Sequence, residues 1–408
     1  MVERIETVII GAGQAGLSLS YYLTRAGREH IILEKAPLVA DAWRNRRWDS
    51  FTLVTPNWSF KLPGAEYADS DPSGFMPKNE IVKRFEQYEQ ENHLPVSYST
   101  EVTGVEPMDG HHRYRVLASN KVYESKNLVL ATGLFQKAKI PAFTDQISHD
   151  IYQISSDKYR NPQALPPGAV LVIGSAQSGC QIAEELHEAG RKVYLSTGSA
   201  GRIPRRYRGL DSYEWLAKIG FFDRTAAILN SPEERQFAPP HVSGKGGGRT
   251  INLHKFSRDG IILLGHTRGY EEGKLVFAPD LKENLAKADG FAANITKQID
   301  AYILNHSMDI PSEDVMVLDD GFRAPVIHSL DLAAEGISVI IWATGYSNDY
   351  SLVGLPILDA YHYPIADRGV SRFPGLYFLG LAWMNKFTSG LLMGIGDSAQ
   401  YLAEVISR

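Results

Sequence analysis

Four short stretches of the chain are apolar at every position: Val8-Ile9-Ile10, Leu128-Val129-Leu130, Leu171-Val172-Ile173 and Val339-Ile340-Ile341-Trp342. Unbroken apolar runs this short, stopped by small residues, predict strands buried on both faces, as in a parallel sheet. The first and third open into Gly-rich turns, and the helical stretches that follow close at Gly27 and Gly190. The second and fourth end alike, in Ala131-Thr132-Gly133 and Ala343-Thr344-Gly345. Strand, helix and strand in succession predict right-handed βαβ units, hence an α/β chain with two Rossmann-like, doubly wound parallel sheets. Near-alternating positions in Met108–Val122 predict a small antiparallel meander.

The pattern repeats. Sliding the chain by 163 residues lays Gly11-Ala12-Gly13-Gln14-Ala15-Gly16 on Gly174-Ser175-Ala176-Gln177-Ser178-Gly179, and Ala26-Gly27-Arg28 on Ala189-Gly190-Arg191. In such turns glycines permit a tight bend and close approach to a pyrophosphate, which lies on the N–H groups opening the helix. The residue ending the next strand reads the ribose. That residue is Glu34 in the first copy, a carboxylate suited to a free diol such as the AMP half of FAD. In the second it is Thr197, followed by Arg202, Arg205 and Arg206, which suits a 2′-phosphate and hence NADPH. Arg205 and Arg206 are the chosen phosphate ligands, because Arg191 begins its strand at the opposite edge. The expected layout is a first dinucleotide domain at 1–150 and 325–408, and a second at 151–324. The second carries an insertion, 205–280, that fits no βαβ unit and holds the loop Ser243–Arg249. Asp157–Pro167 and Asp319–Pro325 are the expected linkers.

Composition narrows the chemistry. The net charge of −5 gives no reason to expect nucleic acid or an anionic membrane as partner, and no apolar stretch reaches the ~20 residues of a membrane helix. Met1 leads directly into a core strand, so no cleavable signal is expected and the expected location is the cytoplasm. One cysteine, Cys180, excludes an internal disulfide and a Cys-x-x-Cys redox centre. No metal site is read from the sequence. A homodimer is the default for such an enzyme.

Together, both turns, Glu34, Trp43 nine residues later, both Ala-Thr-Gly strands and the Gly-rich C-terminal segment resemble the flavin-containing monooxygenases. That class includes Baeyer–Villiger and N-hydroxylating enzymes, and the resemblance covers nearly the whole chain. Its Gly-Gly-x-Trp is matched by Ala40-Asp41-Ala42-Trp43. Its fingerprint, Phe-x-Gly-x-x-x-His-x-x-x-aromatic, is degenerate here, with Phe143 and His149 in place but Asp145 and Gln153 at the glycine and aromatic positions.

The resemblance implies FAD beside Gly11–Gly16, Glu34, Lys35, Trp43 and Trp48, with Thr132 and Gly133 at the first domain crossing. It implies NADPH beside Gly174–Gly179, Thr197, Arg205 and Arg206, with Ala343, Thr344 and Gly345 at the second crossing. Asn57, one residue out of register with the family's Leu-x-Thr-Asn run, is the candidate catalytic residue beside the flavin. Gly390 and Asp397 open a C-terminal helix whose positive end faces the flavin pyrimidine. The implied activity transfers one oxygen from a flavin C4a-(hydro)peroxide to a small organic substrate, oxidising nitrogen, sulfur or a ketone, with O2 as co-substrate. An NAD(P)H-dependent flavin reductase or oxidase, and a flavin- and nucleotide-binding sensor without turnover, remain the alternatives.

Overall fold

The computed structural model describes residues 2–111, 113–236 and 239–408. The two apolar units become the centres of two separate sheets. The nine-stranded first sheet runs Ala366–Asp367, Val370–Ser371, Leu376–Phe378, Val122–Leu130, Val2–Ile10, His30–Leu33, Val96–Ser97. From Leu376–Phe378 to Val96–Ser97 all its pairings are parallel. Val102–Pro107 and Tyr114–Ala118 extend Val122–Leu130 as an antiparallel meander. The five-stranded second sheet runs Tyr152–Ser155, Ile337–Trp342, Ala169–Ile173, Val193–Ser196, Ile262–Leu264 and is parallel throughout. The α/β class with two doubly wound parallel sheets is as expected.

The unbroken apolar runs have their explanation in packing. Val8, Ile9, Leu128, Val129, Leu171, Val172, Ile340 and Ile341 are all fully buried. Each contributes roughly 1.5–3 kcal/mol over leaving it exposed. One apolar cluster passes from the first sheet and its helix (Ile9, Val129 and Leu17) through Trp48, Phe51 and Tyr159 to the second sheet and its helix (Val170, Val339 and Ile182). The lobes therefore share a core rather than touching at a polar surface. Among the described residues, no helix is long and apolar enough to cross a membrane.

Three boundaries differ from expectation. Ile337–Trp342 lies between Tyr152–Ser155 and Ala169–Ile173 in the second sheet, so that sheet extends past residue 324, and the first lobe resumes only after Trp342. Two apolar strands look alike to a pattern reading, and only pairing tells which sheet receives one. Ile262–Leu264, inside the expected insertion, is the edge strand beside Val193–Ser196. The meander spans 102–130 rather than 108–122, because Val102–Pro107 and Val122–Leu130 pair on either side of Tyr114–Ala118.

Tyr159, in an expected linker, is fully buried, its ring 6.4 Å from that of Trp48 and its hydroxyl 3.3 Å from Glu185. Tyr159→Ala is expected to cost about 3–5 kcal/mol by chemical denaturation. Tyr159→Phe keeps the ring, gives up only a long contact, and is expected to stay within about 1 kcal/mol.

Candidate functional site

Both Gly-rich turns share one backbone construction. Gly11 N–H donates to Leu33 O at 2.9 Å and Gly174 N–H to Ser196 O at 3.0 Å, so each strand hands its turn to its neighbour. Gly11 and Gly174 share φ +106°, and a Cβ on either would meet the carbonyl oxygen of Ala131 at 2.6 Å or of Ala343 at 2.4 Å. A Cβ on Gly16 would lie 2.0 Å from Gly11 O, and one on Gly179 1.8 Å from Gly174 O. At the middle position a Cβ on Gly13 meets nothing within 4 Å, and Ala176 carries one there.

The helices Gln14–Arg25 and Gln177–Glu188 open without a side-chain cap and without an acidic residue in the first turn. Their leading N–H groups are thus left for an anion. Glu34 ties its loop together, accepting from Ala12 N–H at 2.8 Å and Ala36 N–H at 2.9 Å. Both oxygens keep a further lone pair for hydroxyls. In the second copy Ser175, at the position of Ala12, accepts from Gly198 N–H at 2.9 Å, doing with a side chain what Glu34 does from the other side. Thr197 is buried, its hydroxyl donating to Leu264 O at 2.7 Å. The second site has no carboxylate at the ribose position.

Each turn is also held from afar by its glutamine. Gln14 Nε2 donates to Gly390 O at 2.6 Å. The Gln177 amide brackets Val242, donating to its carbonyl at 2.7 Å and accepting its N–H at 3.2 Å. Gly390 has no room for a side chain, since a Cβ there would meet Ala382 N at 2.8 Å. Asp397, largely exposed in the first turn of the helix Ile395–Ser407, pairs with Lys386 at 2.9 Å. Ala40, in the Gly-Gly slot ahead of Trp43, takes the left-handed φ of +61° that favours glycine. Trp43 is half-buried against Phe51, with the Arg47 guanidinium 5.4 Å from its ring centre. Three residues beyond the ends of strands Val122–Leu130 and Ile337–Trp342 stand glycines of positive φ, Gly133 at +83° and Gly345 at +84°.

The structure thus gathers Gly11–Gly16, Glu34, Thr132, Gly133 and Gly390 beyond the carboxyl ends of the central strands of the first sheet, and Gly174–Gly179, Thr197 and Ala343–Gly345 beyond those of the second. Other expected residues are engaged elsewhere. Asn57 is a correction: its Nδ2 donates to Asp71 O at 2.9 Å and its Oδ1 accepts from Met76 N–H at 2.7 Å, so it clamps the 71–76 loop. Arg205 is another. It is 2% exposed, forked onto Asp211 at 2.6 and 2.8 Å, with its remaining nitrogen on Val54 O at 2.7 Å. Gripping a phosphate would break that buried pair. Arg206 is exposed, with its fork on the carbonyls of Gly247 and Gly248. Trp48 is buried, packed edge-on to Phe51 at 5.1 Å, and Lys35 and His149 are exposed. Cys180 is fully buried, and burial pushes its thiol well above the usual range.

The expected insertion is a strap between the lobes. Gly244 packs on Leu53 O, where a Cβ would come within 1.9 Å, and Lys245 and Arg249 pair with Glu188 at 2.5 and 2.7 Å. Farther along, Phe387 N–H donates to Arg224 O at 2.8 Å and Thr388 Oγ1 to Phe222 O at 3.3 Å. Arg224, His241 and Val242 were not singled out from sequence. The aromatic pair before Arg224 was the available signal.

Residues 8–208 match the family described as pyridine nucleotide-disulphide oxidoreductase. An uncharacterized CzcO-like oxidoreductase of Geobacillus kaustophilus is 33% identical over 98% of both chains. A flavin-containing monooxygenase from Stenotrophomonas maltophilia superposes with a TM-score of 0.66 at 19% identity, covering 99% of this chain and 98% of that one. The bacillithiol disulfide reductase of Staphylococcus aureus does so with a TM-score of 0.63 at 15% identity, covering 99% and 98%. These structures share the fold.

Two predictions follow from this geometry. Gly16→Ala or Gly179→Ala forces a methyl against a backbone oxygen and is expected to destabilise by about 1–3 kcal/mol or more. Gly13→Ala, facing open space, is expected to leave thermal stability nearly unchanged while lowering the flavin retained on purification. The second concerns His241, wholly buried, with no partner on either ring nitrogen among the described residues. Burial, and then the Arg202 cation, pull its pKa from 6.5 down to about 4. Between those values the unfolded chain takes up a proton that the folded chain refuses, so stability is lost as pH falls through that window, by about 2 kcal/mol between pH 7 and pH 5. Denaturation at the two pH values should show that share of the loss absent in His241→Gln.

Proposed function

The chain belongs to the family of CzcO-like oxidoreductases, and from that membership we propose that it is an FAD-dependent monooxygenase that consumes NADPH and transfers one oxygen atom from O2 to a small organic substrate. The observation that carries this reading is one nucleotide-binding turn built twice with opposite chemistry at the ribose, a carboxylate at Glu34 and none at Thr197. Gly11–Gly16, Glu34, Trp43, Thr132, Gly133 and Gly390 would hold FAD. Gly174–Gly179, Thr197, Arg206 and Ala343–Gly345 would hold NADPH. Bound flavin supplies the chemistry, accepting hydride from NADPH and passing electrons to O2.

The protein's share is placement and electrostatics. Helix Ile395–Ser407 points its uncapped N-terminus at the Gly390–Gly394 turn, where its dipole favours negative charge. Gln14 Nε2 holds the Gly390 carbonyl at the start of that turn. Gly133 and Gly345 supply backbone freedom for a domain rotation. Disulfide reduction, the activity named for one fold relative, finds no support in this chain, because its one thiol is buried and held protonated.

The test is turnover under labelled oxygen with panels of amines, sulfides and ketones. One labelled atom in the product per NADPH consumed is expected. NADPH consumption that yields only hydrogen peroxide with every substrate would make the protein an oxidase, and failure of NADPH to bleach the flavin would make it a binding protein. Arg206→Ala is expected to raise KM for NADPH roughly tenfold, the value of one charge-assisted contact, and to leave KM for NADH unchanged.

A further inference from the structure

Arg224 is a partly desolvated cation with no ion pair among the described residues. Its guanidinium carbon lies 3.2 Å from the ring centre of Phe221, 5.6 Å from that of Phe387 and 6.0 Å from that of Trp383. Nε donates to Phe221 O at 2.8 Å, and this is the side chain's one hydrogen bond among the described residues. The group is partly exposed, so a ligand can reach it. Desolvation alone lowers its pKa, to about 10, with no neighbouring carboxylate opposing the shift. Lys386, on the adjoining segment, is by contrast neutralised by Asp397 at 2.9 Å and Asp223 at 3.4 Å. One charge at this seam is compensated and the other is not.

The place matters as much as the charge. Arg224 O accepts from Phe387 N–H, and Thr225 bridges to Lys386, so the strap is stitched to the turn Phe387–Gly390. The far end of that turn is the carbonyl held by Gln14 of the first Gly-rich turn. The uncompensated guanidinium therefore sits one short turn from the proposed flavin site, on the seam between strap and first lobe. A half-desolvated cation is costly, and stacking on aromatic faces offsets only about 0.5–2 kcal/mol of that cost. A carboxylate would offset more, through two parallel N–H···O bonds from the free end of the fork. The surrounding rings suit an apolar or aromatic body attached to that carboxylate.

We propose that Arg224, boxed by Phe221, Trp383 and Phe387, binds the carboxylate of a small apolar or aromatic organic acid and so sets the substrate class of the enzyme. The site accepts anions, takes neutral analogues weakly and rejects ammonium ions. This substrate assignment rests on the monooxygenase reading above, but the binding site itself does not.

The experiment titrates the FAD-loaded protein with phenylacetate, phenylacetamide and phenethylamine, following tryptophan fluorescence and the flavin absorption band. Phenylacetate is expected to bind at least roughly tenfold tighter than the amide, a difference of about 1.4 kcal/mol, with no binding of the amine. Arg224→Gln should erase the difference between acid and amide, and Arg224→Lys should restore part of it. Retained FAD and an unchanged far-ultraviolet circular dichroism spectrum report that both variants are folded. Equal affinity for acid and amide, or an acid preference that survives in Arg224→Gln, overturns the proposal. Arg224-dependent binding of the acid with no oxygenated product from any substrate would leave this site standing and sink the monooxygenase reading. Oxygen transfer to amines or neutral sulfides, indifferent to Arg224, would do the reverse.

Discussion

Everything in this molecule depends on how closely a helix is allowed to approach the strand before it. At Gly16 and Gly179 the separation leaves no space for a single methyl group, since an added Cβ would come within 2.0 and 1.8 Å of the turn's own carbonyl oxygens. That contact fixes the direction of the helix axis, and with it the direction in which unbonded N–H groups point. The same packing is satisfied twice, once in each lobe, and each time it sets where the leading N–H groups of a helix lie against a Gly-rich turn. Where the contact is relaxed, at the middle position, the copies differ, glycine in one and alanine in the other. Close packing sets the identity where atoms collide and leaves it free where they do not.

The strap between the lobes uses a different kind of contact. Arg205 and Asp211 form a buried ion pair with both carboxylate oxygens engaged, and the remaining guanidinium nitrogen crosses to Val54 O of the other lobe. Such a pair gains little net stability over apolar packing, but losing one partner is costly because the other charge is then stranded. It specifies one docking geometry. Asn57 does the same for the 71–76 loop with a neutral amide. Both residue types are prized in active sites for their donors, and here those donors are spent on architecture.

This explains how legible the chain was. Parallel strands, paired turns and the ribose-reading position were visible because each has a local signature: an unbroken apolar run, glycine spacing, a carboxylate at fixed distance. What stayed hidden was anything decided by a distant partner. Nothing near Ile337–Trp342 says which sheet it joins, because either would bury it equally well. Arg205 and Arg206 are neighbours in sequence, yet one is buried with Asp211 and the other is exposed. Arg224 reads as a surface charge until its strap folds against Phe387 and leaves it without a counter-ion.

The bond from Gln14 to Gly390 joins residues 376 positions apart, and strand Leu376–Phe378 is the parallel neighbour of Val122–Leu130. The second sheet, by contrast, has all its strands once Trp342 has been made. During synthesis the lobe that begins the chain is therefore the last to close. Its Leu128–Leu130 edge must wait unpaired on one side for Leu376–Phe378, while the later lobe has every strand it needs beside it.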